Sequence, residues 1–223
     1  MPVTISFKNI SLLDSTEGFS LDIEAGCSAV IVTARDDDST ALTRLITGLS
    51  LPAGGSVMVN SRDVAALAPS ELYALRRQIG VVPSNGGLVS NLKFWENITL
   101  PLIYDSGGIS AEQEKAGLEY LALLGYSGNI MALPAHLTLH DRRMAALVRA
   151  FLRRPVIMLY SNCIEGLSLQ HRKAFLKIAQ EFHGAEPGRT SLYLTSTPDL
   201  AADLPVDLVY RLDESVDTVS RNI

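Results

Sequence analysis

CSAVIVTARDDDSTALTRLITGL, residues Cys27 to Leu49, decides how the rest of this chain is read. Ala29 to Val32 is an unbroken apolar run of strand type. Thr33 to Asp38 is a short polar turn. Ala41, Leu42, Leu45, Ile46 and Leu49 then recur at helical spacing. Strand, tight turn, helix is the layout of a phosphate-binding loop, where glycine-freed amides and a lysine receive the phosphates. This turn carries Thr33, Asp36, Asp38 and Ser39 in those places. The layout is present and the phosphate chemistry is not.

Outward from that stretch, periodicity gives an alternating α/β pattern. Val3 to Phe7 and Phe19 to Ile23 alternate apolar and polar, as strands with one wet face do. Asp14 to Gly18 between them is turn-like. Val57 to Val59 and Gly80 to Val82 are short strands, and Pro69 to Arg77 is a helix with proline in its first turn. Pro83 to Asn91 is a polar, glycine-rich loop. Ala111 to Leu124 and Leu137 to Arg154 read as helices, with a break at Pro134. Val156 to Tyr160 and Ser191 to Thr195 are runs of the kind buried on both faces of a parallel sheet. Ser168 to Phe182 is an amphipathic helix, Leu208 to Leu212 closes the pattern, and the polar tail from Asp213 is expected to fray. The expected fold is α/β, a P-loop NTPase-like parallel sheet core. An N-terminal antiparallel β subdomain and a helical insertion over about residues 88 to 150 complete a single domain spanning 1–223.

Composition narrows the function classes. At 223 residues, 47% apolar and 19% charged, the chain can bury a sizeable core. Its net charge of −5 argues against nucleic acid as a partner. The two cysteines, Cys27 and Cys163, and the four histidines lack metal-type spacing, so no metal site is expected. No apolar run is long enough to span a bilayer, and no secretion signal is visible.

The order of these segments resembles the nucleotide-binding domain of ATP-binding cassette (ABC) transporters over nearly the whole chain. IEAG at Ile23 to Gly26 is similar to the family's entry to the phosphate loop, and LTRLITGLSLPAGGSVMVNSRDV to its helix and following strand. LRRQIGVV at Leu75 to Val82 leads to the glutamine loop, and LKFWENITLPL is similar to the segment after it, most of all in the lipid-trafficking Mla/Mce-like cassettes. Arg149-Ala150 and Gly166-Leu167 fall where the signature helix ends and where the loop after the second phosphate motif lies.

The resemblance implies particular residues at particular places. The phosphate loop G-x-x-G-x-G-K-S/T becomes Thr33, Asp36 and Asp38 for the glycines, Ser39 for the lysine and Thr40 for the magnesium-binding hydroxyl. The second motif's magnesium-holding Asp and water-activating Glu fall on Ser161 and Asn162, neither of which can replace them. Glu165 comes too late and is expected to face solvent or a partner. The glutamine position holds Ser84, the signature glycines become Leu139 and His140 after Thr138, and the switch histidine becomes Ser196. No aromatic residue stands near Leu12 and Leu13 to stack on adenine.

A nucleoside triphosphate carries about four negative charges, and a unit charge pair ~4 Å apart near a protein surface is worth roughly 4 kcal/mol. A loop with no lysine and with Asp36, Asp37 and Asp38 opposes that ligand, and Arg35 offsets only part of the charge. The same carboxylates suit a helix N-terminus, as caps doing for it what phosphate oxygens do in the family. Asp at a positive-φ position is disfavoured, so the loop is not expected to keep the family's backbone shape.

The expectation is therefore a degenerate ABC subunit, a pseudo-ATPase with no cofactor, or MgATP if the family's function persists. Its implied partners are a membrane permease, with Phe94 and Trp95 as interface anchors, and a second cassette in a homodimer or heterodimer. The implied location is the cytoplasmic face of the membrane. An active ATPase subunit and a soluble module reusing the cleft are the alternatives.

Overall fold

A computed structural model describes residues 2–12, 18–212 and 218–221. Four strands form an antiparallel sheet in the order β2-β1-β4-β5: β1 Val3–Ile10, β2 Phe19–Glu24, β4 Ser56–Val59 and β5 Arg62–Asp63. Six strands form the second sheet, ordered β10-β9-β3-β8-β7-β6. Its members are β3 Ser28–Val32, β6 Ile79–Val82, β7 Ile157–Ser161, β8 Thr190–Thr195, β9 Leu208–Arg211 and β10 Thr218–Arg221. All neighbours in it are parallel except β10, which runs antiparallel to β9. The helices are α1 Asp36–Ile46, α2 Pro69–Arg77, α3 Phe94–Ser106, α4 Ala111–Leu123, α5 Leu139–Leu152, α6 Leu169–Gly184 and α7 Pro198–Ala202.

The unbroken apolar strands divide their side chains between two cores. From β3, Val30 and Val32 point into one and Ala29 and Ile31 into the other. From β7, Met158 and Tyr160 oppose Ile157 and Leu159 in the same way. The first core is filled by α3, α4, α5 and α6, through residues such as Phe94, Leu121, Leu147 and Phe175. The second lies between the two sheets and takes Leu42, Leu45 and Ile46 of α1. Period-two alternation explains why strands buried on both faces read as solid apolar runs.

Several boundaries differ from expectation. The long helix expected from Leu137 begins at Leu139, because Thr138 caps it: its Oγ accepts from the Asp141 amide at 3.1 Å, and Asp141 accepts from the Thr138 amide at 3.0 Å. Helix α3 runs through Pro101 to Ser106. Residues 218–221 of the tail pair with β9, whose outer edge would otherwise carry open backbone groups. The expected turn at Asp14 to Gly18 lies, Gly18 apart, outside the described residues, as do Leu13, residues 213–217 and residues 222–223. Among the described residues no helix is long and apolar enough to cross a membrane.

Candidate functional site

The C-terminal ends of β3, β7 and β8 lie side by side, and the stretch after β3 covers them. Only Thr33, Ala34 and Arg35 separate β3 from α1. Arg35 is the N-cap, with φ −142° and ψ 156° and no side-chain capping bond. Asp36, Asp37 and Asp38 are therefore not caps ahead of the helix, as the sequence reading placed them, but its first turn. Carboxylates there favour helix over loop because they meet the positive end of the backbone dipole. The non-glycine residues described at positive φ are Asn9, Asn60, Ser61, Arg154 and Asn162, so none falls between 33 and 40. A glycine-built phosphate cradle needs such conformations to turn its amides inward. Here the Asp38 amide instead donates to the Arg35 carbonyl at 3.2 Å.

The polar side chains of this stretch are engaged within the chain. Ser39, at the lysine position, is fully buried and shares a 2.9 Å hydrogen bond with the Thr33 hydroxyl. Asp38 is 4% exposed and pairs with Arg35 at 3.4 Å. The Thr40 hydroxyl donates to the Asp36 carbonyl at 3.2 Å, one helical turn back. Leu12, near the expected adenine platform, packs against the second core.

Three positions that the sequence left far apart meet at Asp36. Its Oδ1 accepts from the Asn162 amide nitrogen at 3.2 Å and from the Ser196 hydroxyl. Asn162 is held for this contact. It is 4% exposed, sits at φ 44°, donates its backbone N–H to the Leu194 carbonyl at 2.9 Å, and accepts from the Ser196 amide at 3.2 Å. Ser161 ends β7 and is buried beside it.

Glu165 departs from the expectation that it faces solvent or a partner. Gly166, at φ 70°, turns the chain after β7, and the Glu165 carboxylate folds back. It accepts from the Thr195 hydroxyl at 2.6 Å and from the Ile164 amide at 3.1 Å. Burial pushes its carboxyl above the ordinary carboxylate value.

Sequence reasoning missed the side chains that tie the neighbouring loops down. Arg143 of α5 is 5% exposed, and its guanidinium donates to the Ser84 carbonyl at 2.6 Å, the Asn162 carbonyl at 3.3 Å and the Glu165 carbonyl. Arg149 donates to the Gly87 and Gly86 carbonyls at 2.9 and 3.1 Å. Asn97 of α3 is fully buried and bonds both polar groups of Val89, at 2.7 and 3.1 Å. Arginine on the buried face of an amphipathic helix was the available signal, since such a charge needs dedicated partners.

The interface assignment of Phe94 is corrected. Phe94 is fully buried and stacks on Tyr126, with centroids 4.3 Å apart. Trp95 is half-buried and lies against the bare face of Gly117, where a Cβ would meet its ring at 2.8 Å. Both rings belong to the packing of the helical unit. Thr138, Leu139 and His140 stand apart from Asp36, at the start of α5, with Leu139 49% exposed and His140 stacked on His171.

The sequence profile described as ABC transporter matches residues 18–163. This chain belongs to the ABC transporter family. Relatives include the "Methionine import ATP-binding protein MetN" of Mannheimia succiniciproducens, 28% identical over 90% of this chain and 60% of that protein. The MetN of Haemophilus influenzae (strain ATCC 51907 / DSM 11121 / KW20 / Rd) is 30% identical over 79% of this chain and 50% of its own length. The chain thus spans about half to three-fifths of these relatives. Among solved structures, "Dimeric Structure of MJ0796, a Bacterial ABC Transporter Cassette" superposes with a TM-score of 0.83 at 22% identity, covering 97% of this chain and 98% of that one. The parallel sheet beside an antiparallel one is the arrangement of such ABC cassettes.

Proposed function

We propose that this ABC cassette is a pseudo-ATPase, a structural or regulatory subunit that binds partner chains and does not turn over ATP. The observation that carries this reading is the carboxylate of Asp36, bonded by Asn162 and Ser196. An internal anion occupies the donors that the resemblance assigns to nucleotide chemistry. MgATP does not fit these residues. Ser39 offers no cation, Thr40 bonds its own helix, and Ser161 and Asn162 bring the metal no charge. The homodimer then has no working site, and a heterodimer with an intact cassette keeps at most an impaired one.

In this reading the chain sits at the cytoplasmic face of the membrane beneath a permease. A crevice of about 1100 Å³ runs between α3, α4 and the C-terminal ends of α5 and α6, lined by Arg77, Asp105, Tyr120, Arg153 and Phe182 among others. Exposed apolar side chains of α2 and α3 stand nearby: Tyr73 (43%), Ile103 (45%) and Tyr104 (78%). Tyr73 donates to Asp105 at 2.7 Å and its ring meets that of Tyr104 edge-on. Aromatic anchors beside charged groups suit a docked cytoplasmic helix, and this face replaces Phe94 and Trp95 as the permease contact. The permease selects the cargo, so neither the lipid-trafficking likeness nor the relatives' methionine-import name carries over.

One observation favours a second reading, a weakly active ATPase. Glu165 is a half-buried carboxyl with a raised proton affinity at the strand ends, as a general base there would be.

Calorimetric titration with MgATP tests the proposal. The wild-type chain gives no binding heat up to about 1 mM nucleotide. The variant Asp36→Gly, Asp38→Gly, Ser39→Lys, which rebuilds the family loop, binds. Micromolar binding by the wild type overturns the proposal, and hydrolysis abolished by Glu165→Gln establishes the second reading.

A further inference from the structure

His140 and His171 lie in the first turns of α5 and α6. Their rings stack with centroids 3.9 Å apart and planes 15° from parallel. His140 is half-buried, His171 exposed. The Nδ1 of His140 is sealed from solvent and has no hydrogen-bond partner among the described residues. A neutral imidazole tolerates this, because one nitrogen can remain a bare lone pair. An imidazolium must donate from both nitrogens, so a sealed Nδ1–H⁺ is left unsolvated. Charging His140 in place also sets a cation against the second ring.

The surrounding charges lean the same way. Asp141 favours the protonated ring, while His171 and Arg143 oppose it. Asp141 is already committed to the Thr138 hydroxyl at 2.7 Å and the Thr138 amide at 3.0 Å. Beyond His171, Arg172 pairs with Asp203 at 2.9 Å. Both rings stand at helix N-termini, whose positive ends disfavour added positive charge. Burial, with His171 next in weight, holds His140 below the usual histidine value of 6.5.

We propose that His140 and His171 form a proton-operated clasp between the first turns of α5 and α6. It is closed while His140 is neutral and opens when His140 takes a proton and its Nδ1 must reach water. Opening parts the first turn of α5 from the first turn of α6. The clasp needs only a single chain and does not depend on the pseudo-ATPase reading.

The test joins an NMR titration of the two imidazoles to hydrogen exchange on the full chain. His140 is expected to titrate below 6.5. Protection of the first-turn amides of α5 and α6, corrected for intrinsic rates, falls at least about tenfold between about pH 8 and about pH 5. In His171→Phe the stack persists without a second imidazole, and His140 takes a proton more readily than in the wild type. His140→Gln has no titrating ring and loses the acid-dependent opening. The proposal is overturned if His140 titrates at its ordinary value of 6.5, or if His140→Gln opens on acidification as the wild type does.

Discussion

At the ends of β3, β7 and β8 several polar side chains bond to one another: Asp36 with Asn162 and Ser196, Thr33 with Ser39. Across the α3–α5 unit Arg143, Arg149 and Asn97 bond to backbone: Arg143 to the carbonyls of Ser84, Asn162 and Glu165, Arg149 to those of Gly86 and Gly87, Asn97 to Val89. The two patterns answer different demands. An exposed side-chain pair such as Asp36 with Ser196 can turn to water if either member is removed. A side chain on loop carbonyls replaces missing secondary structure, and its removal strands groups that cannot turn away. The first region can therefore change its chemistry cheaply, while the second holds the fold.

That contrast is broken most readily in the helical unit. Phe94→Ala removes a fully buried ring and its stack on Tyr126, and should cost about 4 kcal/mol in urea denaturation. If the loss is below about 1 kcal/mol, Phe94 does not hold α3 to the core. Arg143→Met leaves the Ser84, Asn162 and Glu165 carbonyls without their donor, and about 3 kcal/mol is expected by the same measurement. Asp36→Ala should cost no more than about 1 kcal/mol, because Ser196 and the helix end can hydrate. An equal loss for Asp36→Ala and Arg143→Met would erase the distinction.

The smaller effects sharpen the comparison. Glu165 has a raised folded-state pKa, so the folded chain holds its proton more tightly than the unfolded chain. Its contribution is fully present below the ordinary value of 4.5 and is lost as pH rises through the folded pKa. Glu165→Gln should therefore gain stability relative to wild type between about pH 4 and pH 7, read from paired denaturation curves, and a flat difference would place the carboxylate in water. Tyr104→Ala, at 78% exposure, should move stability by no more than about 0.5 kcal/mol. Under the proposed function the same substitution should also weaken co-purification with a permease.

Much of this architecture was legible along the chain, for physical reasons visible in individual elements. Val156 to Tyr160 announced a doubly buried strand because both faces of β7 meet apolar cores. Pro69 to Arg77 was bounded correctly because proline at a first turn and paired arginines at a last turn are local signals. Phe94 misled because an aromatic pair looks alike whether it faces a partner or stacks on Tyr126, more than thirty residues away.

The sequence by itself determined what the positions assigned by the resemblance lack: no lysine at Ser39, no glycine at Asp36 or Asp38, no carboxylate at Ser161 or Asn162. Residue identity is enough to remove a charge or a conformational freedom. Only the tertiary structure decided what those residues do instead. Asp36 became part of a helical turn, and its carboxylate found Asn162 and Ser196. Glu165 turned inward to Thr195, and Arg143 joined two loops. Hydrogen-bond partners lie within about 3 Å in space, whatever their separation along the chain, so the fold that gathers them must be known before they can be named.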